Sequence, residues 1–199
     1  MKNAVLLVID VQNDFCPGGA LAVNGGDEVV PLINTLARDY AHVVLTQDWH
    51  PVGHSSFASQ HEGAAAFTQI EMPYGPQTLW PDHCIIGSSG AAFYKALDVP
   101  NVELIIRKGF RKEIDSYSAF FENDHKTPTG LGGYLKERGF SHITCVGLAL
   151  DYCVRYSAED AKALGFDVEV IEAATRAINL DGSVAATKKS FAQRGITLR

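Results

Sequence analysis

Three residues with complementary chemistry each follow a short apolar run in the sequence. Asp10 ends the run AVLLVID, Lys108 follows VELIIR, and Cys153 comes six residues after Gly147. A carboxylate can take the proton of a thiol, and a nearby ammonium favours the thiolate, so the three groups together suit acyl transfer through a thioester. Each residue alone also has a structural explanation. Their shared position after strand-like runs makes them a candidate catalytic set.

The position of Cys153 adds to this hypothesis. If Asp151 caps the helix that follows, Cys153 lies in its first turn, where the helix dipole and free backbone N–H groups favour a thiolate and can hold an oxyanion. No C-x-x-C pair occurs, so all four cysteines are expected to be free thiols. The remaining three are expected to be inert, small side chains: Cys16, Cys84 and Cys145.

Asp48 and His50 form a second candidate site. Their i, i+2 spacing in an extended chain points both side chains to the same side, where they could share one cation. A third ligand must come from further along the chain, and the available imidazoles are His54, His61 and His83. The alternative is a set of loop histidines that contact water and backbone, and the short motif leaves both interpretations open.

Aromatic residues lie close in sequence to these polar residues. Phe15, Trp80 and Tyr117 could wall a slot for a flat ring, although ordinary core packing would also explain each of them. No glycine-rich phosphate-binding motif follows a strand, so no nucleotide cofactor is expected.

The elements that must position these residues alternate along the chain. Short aliphatic and β-branched runs predict buried parallel strands at residues 4–9, 42–46, 102–106, 142–147 and 168–171. Helical patterns lie between them, with Asp27 and Asp181 as predicted N-caps and Gly139 and Gly165 as predicted helix stops. This alternation predicts a doubly wound α/β sheet with right-handed crossovers.

Length and composition favour one domain over residues 1–199, with a long, irregular binding insertion at about 48–100. The chain has 17 basic and 23 acidic residues, a net charge of −6 and no block of like charge, which disfavours nucleic acid and anionic membranes as partners. The longest apolar run is about six residues, against roughly 18 for a membrane span. Neither a membrane helix nor a signal peptide is predicted, and a cytoplasmic location is expected.

Six blocks of the sequence resemble the nicotinamidases of the isochorismatase-like cysteine hydrolase family. They follow the family's order: DVQNDFCPGGAL at 10–21, DWHP at 48–51, WPDHC at 80–84, RKG at 107–109, DSYSAF at 115–120 and GLALDYCV at 147–154. The resemblance implies a three-layer α/β/α sandwich around a mostly parallel sheet. It also implies hydrolysis of nicotinamide to nicotinate and ammonia in NAD salvage, with pyrazinamide as an alternative substrate.

The resemblance also implies roles for individual residues. Asp10 would be the base, Lys108 its cationic partner and Cys153 the nucleophile. The backbone N–H groups of Ala149 and Cys153 would form the oxyanion hole, with a cis peptide bond before Ala149.

The same resemblance implies one divalent metal ion, with zinc preferred over iron or manganese, held by Asp48, His50 and His83. His54 is a possible additional ligand, and water-mediated contacts through Ser55 or Ser56 are the alternative. The residues that match the family's substrate pocket are Phe15, Leu21, Trp80 and Tyr117.

Two other functions remain open from the sequence. One is hydrolysis of a different small amide, such as a carbamoyl compound or a ureide. The other is a non-catalytic protein that binds a metal or ligand on the same scaffold. A homo-oligomer is also possible.

Overall fold

The computed structural model describes residues 3–199. Its strands and helices in chain order are β1 (Ala4–Ile9), α1 (Val30–Asp39), β2 (Val43–Asp48), β3 (Gln69–Met72), β4 (Gly75–Thr78), β5 (Val102–Lys108), α2 (Leu131–Glu137), β6 (His142–Leu148), α3 (Arg155–Ala163), β7 (Asp167–Arg176), α4 (Ser183–Arg194) and β8 (Thr197–Leu198). A π-helical turn, Leu150–Val154, leads from β6 into α3.

Six strands form one parallel sheet in the order β5-β2-β1-β6-β7-β8. Every residue of β1 is buried, and its side chains alternate between two apolar clusters. Val5 and Leu7 belong to the cluster that contains residues of α2, α3 and α4, whereas Leu6 and Val8 belong to the cluster that contains residues of α1. The predicted three-layer α/β/α arrangement is therefore confirmed.

The insertion at 51–100 is more ordered than the sequence suggested. β3 and β4 form an antiparallel hairpin within it, paired from Gln69↔Thr78 to Met72↔Gly75. The hairpin is short and carries proline and glycine. Met72 is one of its few apolar residues, and Gln77 is buried, so the sequence shows no clear alternation of polar and apolar residues there.

Two predicted helix caps were wrong. Asp27 lies inside the 3-10 turn Gly26–Val29, and α1 begins after Val29 with no side-chain cap. Gly182, not Asp181, precedes α4. The predicted helix stops are confirmed, because Gly139 and Gly165 follow α2 and α3 with φ of +74° and +92°, which favour glycine.

Within residues 3–199, no helix combines the length and apolar character needed to cross a bilayer. All four cysteines are free, as expected, and all four are buried.

Candidate active site

The carboxyl ends of the parallel strands bring the three candidate catalytic residues together. Asp10 follows β1, Lys108 ends β5, and Cys153 lies in the π-helical turn after β6. The Lys108 Nζ atom is 2.9 Å from Asp10 Oδ2 and donates a 3.4 Å hydrogen bond to Cys153 Sγ. Ligand sites in open parallel sheets form at this edge because the strands end there together.

Lys108 contacts both of the other candidate catalytic residues. Its side chain is fully buried, and its ammonium also forms an ion pair with Asp48, its register partner on β2, and donates to the Ser116 carbonyl at 2.9 Å. Burial alone would lower the pKa of Lys108, but Asp10 and Asp48 outweigh it and hold that pKa well above its usual value. The lysine therefore stays charged and cannot act as the base.

Asp10 is suited to accept a proton. Its Oδ1 accepts a 2.6 Å hydrogen bond from the Thr46 hydroxyl, and its Oδ2 lies 2.9 Å from the Lys108 ammonium. Burial raises the pKa of Asp10 despite the neighbouring Lys108 ammonium. The Asp10 carboxylate and Cys153 Sγ lie within 4.8 Å of each other. A buried carboxylate with a raised pKa at this distance can receive the proton of that thiol.

Burial of Cys153 opposes the thiolate that its predicted helix position would favour. Burial raises the pKa of the Cys153 thiol well above its usual value, and Lys108 only partly offsets this. The resting group is a thiol, so a base must remove its proton before it can attack.

Asp151 does not cap the helix after Cys153, contrary to the prediction. Its carboxylate accepts hydrogen bonds from the backbone of Ile178 and Asn179, at 3.0 and 2.7 Å, and from the Ser183 hydroxyl. It therefore ties the turn that carries the nucleophile to the segment after β7. The Leu148–Ala149 peptide bond is cis, as the resemblance implied.

Asp48, His50 and His83 form a buried group whose ligand atoms fit one metal ion. Asp48 Oδ2 is 3.5 Å from His50 Nε2 and 3.6 Å from His83 Nε2. Two ligands about 2.0–2.1 Å from one tetrahedral ion lie roughly 3.3 Å apart, so this spacing suits a shared ion. Each imidazole donates its Nδ1–H to a carbonyl at 2.8 Å, Gly109 for His50 and Pro81 for His83, which leaves both Nε2 atoms free to bind a metal.

The glycine after Lys108 has a specific structural role. Gly109 has φ of +68°, and a Cβ there would overlap the His50 ring. Only glycine lets the chain turn while its carbonyl orients this imidazole.

Backbone contacts explain why His83 is the third member of the group. The His50 N–H bonds to the Cys84 carbonyl at 3.0 Å, and the Cys84 N–H bonds to Asp14 Oδ2 at 2.7 Å. These bonds hold residue 83 beside β2. His61 instead bonds to the Ser55 carbonyl at 2.8 Å and is outside the group.

His54 lies beside His50, but both of its ring nitrogens contact protein atoms. Nδ1 is 2.7 Å from the Ser56 hydroxyl, and Nε2 is 3.0 Å from the Arg111 carbonyl. Burial lowers the pKa of His54, so the ring is neutral. Ser56 is engaged by His54, and the buried Ser55 hydroxyl has no partner within residues 3–199.

The cluster opens onto a narrow pocket. All four predicted pocket residues line it, as do both residues of the predicted oxyanion hole: Phe15, Leu21, Trp80, Tyr117, Ala149 and Cys153. Three of the aromatic rings pack edge to face, with Tyr152 against Trp80 and Tyr117 at centroid distances of 4.8 and 5.5 Å. This is an apolar slot with a polar floor, which suits a small flat ring.

Sequence reasoning assigned no role to several residues of the site. Asp115 and Ile178 also line the pocket, and Gln77 is buried behind it. Asp115 lies in one of the blocks that resemble the family. A carboxylate in that block, after β5, was the sequence signal that could have identified it. Nothing in the sequence distinguishes Gln77, because its role depends on the hairpin that places it.

Comparisons with known proteins agree with this geometry. A family model described as the isochorismatase domain matches residues 4–199. The nicotinamidase of Acinetobacter baylyi is 50% identical over 195 residues, which cover 98% of this chain and 91% of that protein.

Two solved structures extend the comparison. A nicotinamidase–pyrazinamidase from Acinetobacter baumanii has 51% identity and a TM-score of 0.99, covering 100% of this chain and 96% of that one. The pyrazinamidase of Pyrococcus horikoshii, solved in complex with zinc, has 31% identity and a TM-score of 0.81, covering 99% of this chain and 98% of that one. Together with the family match, they confirm the resemblance drawn from the six sequence blocks: this chain belongs to the isochorismatase-like hydrolase family.

Proposed function

We propose that this protein is a metal-containing cysteine amidohydrolase that converts nicotinamide to nicotinate and ammonia, and pyrazinamide to pyrazinoate. The observation that carries the proposal is the contact of one buried ammonium, that of Lys108, with Asp10, Asp48 and Cys153 at the floor of an aromatic pocket. The names of the similar enzymes support the same substrate class.

Acylation begins at Cys153. Asp10 takes the thiol proton on a carboxylate oxygen, and the sulfur attacks the amide carbon. The N–H groups of Ala149 and Cys153, which both line the pocket, hold the tetrahedral oxyanion. The C–N bond then breaks, Asp10 returns its proton to the leaving nitrogen, and ammonia departs from the thioester.

Deacylation uses the same carboxylate. Asp10 removes a proton from a water molecule, the resulting hydroxide attacks the thioester carbon, and the carbon–sulfur bond breaks. The sulfur regains a proton from Asp10, and the carboxylic acid product gives its proton to solvent water as it leaves. Lys108 stays charged throughout and keeps Asp10 oriented toward Cys153 at each proton transfer.

Asp48, His50 and His83 would hold one divalent ion, for which we propose zinc because two imidazoles and one carboxylate are a common zinc set. Iron and manganese are the alternatives. When bound, such an ion supplies a Lewis acid that can meet the pyridine nitrogen of the substrate. His54 supports His50 by packing, with ring centroids 4.3 Å apart, rather than as a ligand.

Residues 1–199 would act as one hydrolase domain in NAD salvage, with the 48–100 segment supplying metal and pocket residues. The partner is a small ring amide, since the site is a narrow aromatic slot rather than a basic surface. The four free thiols suit a reducing cytoplasm.

The experiment is ammonia release from a panel of small amides: nicotinamide, pyrazinamide, a carbamoyl compound and a ureide. We expect rapid release from the two ring amides, loss of that activity with a chelator, and recovery when zinc, manganese or iron is added. Faster turnover of a non-aromatic amide, or full activity in the chelated protein, would contradict the proposal.

A further inference from the structure

Asp115 is a buried carboxylate with no lysine or arginine partner in residues 3–199. Its exposed fraction is 2%. Its Oδ1 accepts the Ser116 N–H at 2.8 Å and lies 4.0 Å from His50 Nε2, the nitrogen free to bind a metal. Buried charges are costly unless they are compensated, so Asp115 needs a positive charge nearby.

The buried charges around the site do not balance without an added cation. When ionised, Asp10, Asp48 and Asp115 carry three negative charges, and Lys108 is the one buried ammonium among them. When the imidazoles are neutral, as binding a metal requires, two negative charges remain. One divalent ion would compensate both.

Asp115 stands outside the set of direct ligands. The ligand atoms of Asp48, His50 and His83 all lie within 4.8 Å of one another. A carboxylate oxygen of Asp115 instead lies within that distance of ring nitrogens of His50 and His54. The Asp115 carboxylate therefore affects the cation site through its charge and its position beside His50, not as a direct ligand.

Gln77 fixes the orientation of Asp115. This fully buried amide on β4 donates from Nε2 to Asp115 Oδ2 at 2.9 Å and to the Tyr117 hydroxyl at 2.8 Å. Its Oε1 accepts from Asn123 Nδ2 at 3.0 Å, and Trp80 Nε1 donates to the same Tyr117 oxygen at 3.3 Å. One amide therefore holds both an anion beside the cation site and two aromatic walls of the pocket.

We propose that Asp115 is the charge-balancing anion of the metal site and that Gln77 is a positioning residue that couples metal affinity to ring binding. The inference rests on the proposed function, because it takes the Asp48–His50–His83 group to be a metal site. It extends that function by assigning the metal affinity to a residue that does not bind the ion directly.

The test is the affinity of the metal-free protein for zinc, measured by competition with a chromogenic chelator. Asp115→Asn keeps the shape and removes the charge, and we expect its Kd for zinc to rise about 10- to 100-fold, the usual effect of changing a partner behind a metal ligand. The matched control is Asp98→Asn, since Asp98 pairs with Arg38 on the surface. Its Kd should stay within about twofold of the unmodified protein.

Gln77→Met is the second variant, because it leaves the Asp115 charge in place but removes its support. We expect a smaller rise in the zinc Kd than for Asp115→Asn, and a higher KM for nicotinamide at saturating zinc with a smaller change in kcat. Circular dichroism establishes which variants are folded. Folded Asp115→Asn with an unchanged zinc Kd overturns the inference; if that variant is unfolded, an unchanged zinc Kd in Gln77→Met does so.

The zinc titration needs no substrate, which separates the two proposals. A protein whose zinc Kd responds to Asp115→Asn but which releases no ammonia from nicotinamide would contradict the proposed function alone. An active enzyme with an unchanged zinc Kd in the variant would contradict this inference alone.

Discussion

Replacing Lys108 with methionine removes the one buried cation that holds the catalytic cluster together. Asp10 Oδ2 lies 2.9 Å from the ammonium, a distance at which two unit charges attract by about 6 kcal/mol at an effective dielectric constant of about 20. Desolvation of the ammonium cancels much of this attraction. Removing one partner from a buried ion pair typically costs about 3–5 kcal/mol, because the remaining charge stays buried. We expect Lys108→Met to lose stability in that range.

The loss should depend on pH in a defined direction. Without Lys108, the pKa values of the buried Asp10 and Asp48 carboxyls rise in the folded protein above their values in the unfolded chain. A group with a raised folded pKa favours folding at low pH and loses that contribution as pH rises through the folded pKa. The variant should therefore be destabilised more at pH 8 than at pH 5.

The assay is urea unfolding of the metal-free protein, followed by tryptophan fluorescence at both pH values. Lys162→Met is the matched control, since Lys162 lies 3.9 Å from the largely exposed Asp167 and should change stability by less than about 1 kcal/mol. A Lys108→Met variant that loses less than about 1 kcal/mol at pH 8, or that is more destabilised at pH 5, would refute the reasoning.

Other perturbations test the remaining contacts. Thr46→Val removes the hydroxyl that donates to Asp10 Oδ1, so the pKa of Asp10 should rise, and the acid limb of the kcat/KM profile should move up by about one to two pH units; an unmoved limb would argue against Asp10 as the base. Asp151→Ala leaves three donors without their acceptor and should lower the free energy of unfolding in urea by about 1–3 kcal/mol. An unchanged free energy of unfolding would show that these bonds are dispensable. Iodoacetamide should modify Cys153 first, because it alone among the cysteines lines the pocket, and nicotinate should slow the reaction. Peptide mass spectrometry measures the order of modification, and earlier reaction of Cys16, Cys84 or Cys145 would contradict this prediction.

The sheet was predictable because its strands are continuous apolar runs. Each predicted run lies within a strand of the parallel sheet or overlaps one, with ends shifted by a few residues. β1 and β2 are buried throughout, which leaves a strong local signal, whereas the edge strand β5 is not buried on both faces as predicted: Ile105 is 47% exposed. The shared location of Asp10, Lys108 and Cys153 followed from the rule that such strands end at one edge. These inferences needed only local patterns and topology.

The rest of the site depends on long-range contacts that no local pattern records. His83 was one of three available imidazoles, and only its backbone bonds beside His50 select it over His61. Asp151 looked like a helix cap by spacing, but tertiary donors from the segment after β7 claim its carboxylate. Burial also raises the pKa of Cys153, because desolvation outweighs the attraction of Lys108. Burial at that depth follows only from the folded structure.

The most direct measurement is ammonia release from nicotinamide by folded Cys153→Ala, beside the unmodified protein and Cys145→Ala. Cys145 is fully buried on β6 and lies outside the pocket, so its variant controls for the loss of a thiol. We predict that Cys153→Ala binds nicotinamide in calorimetry but releases no ammonia above background, while Cys145→Ala remains active. Ammonia release by Cys153→Ala at the rate of the unmodified protein would contradict acyl transfer through this thiol.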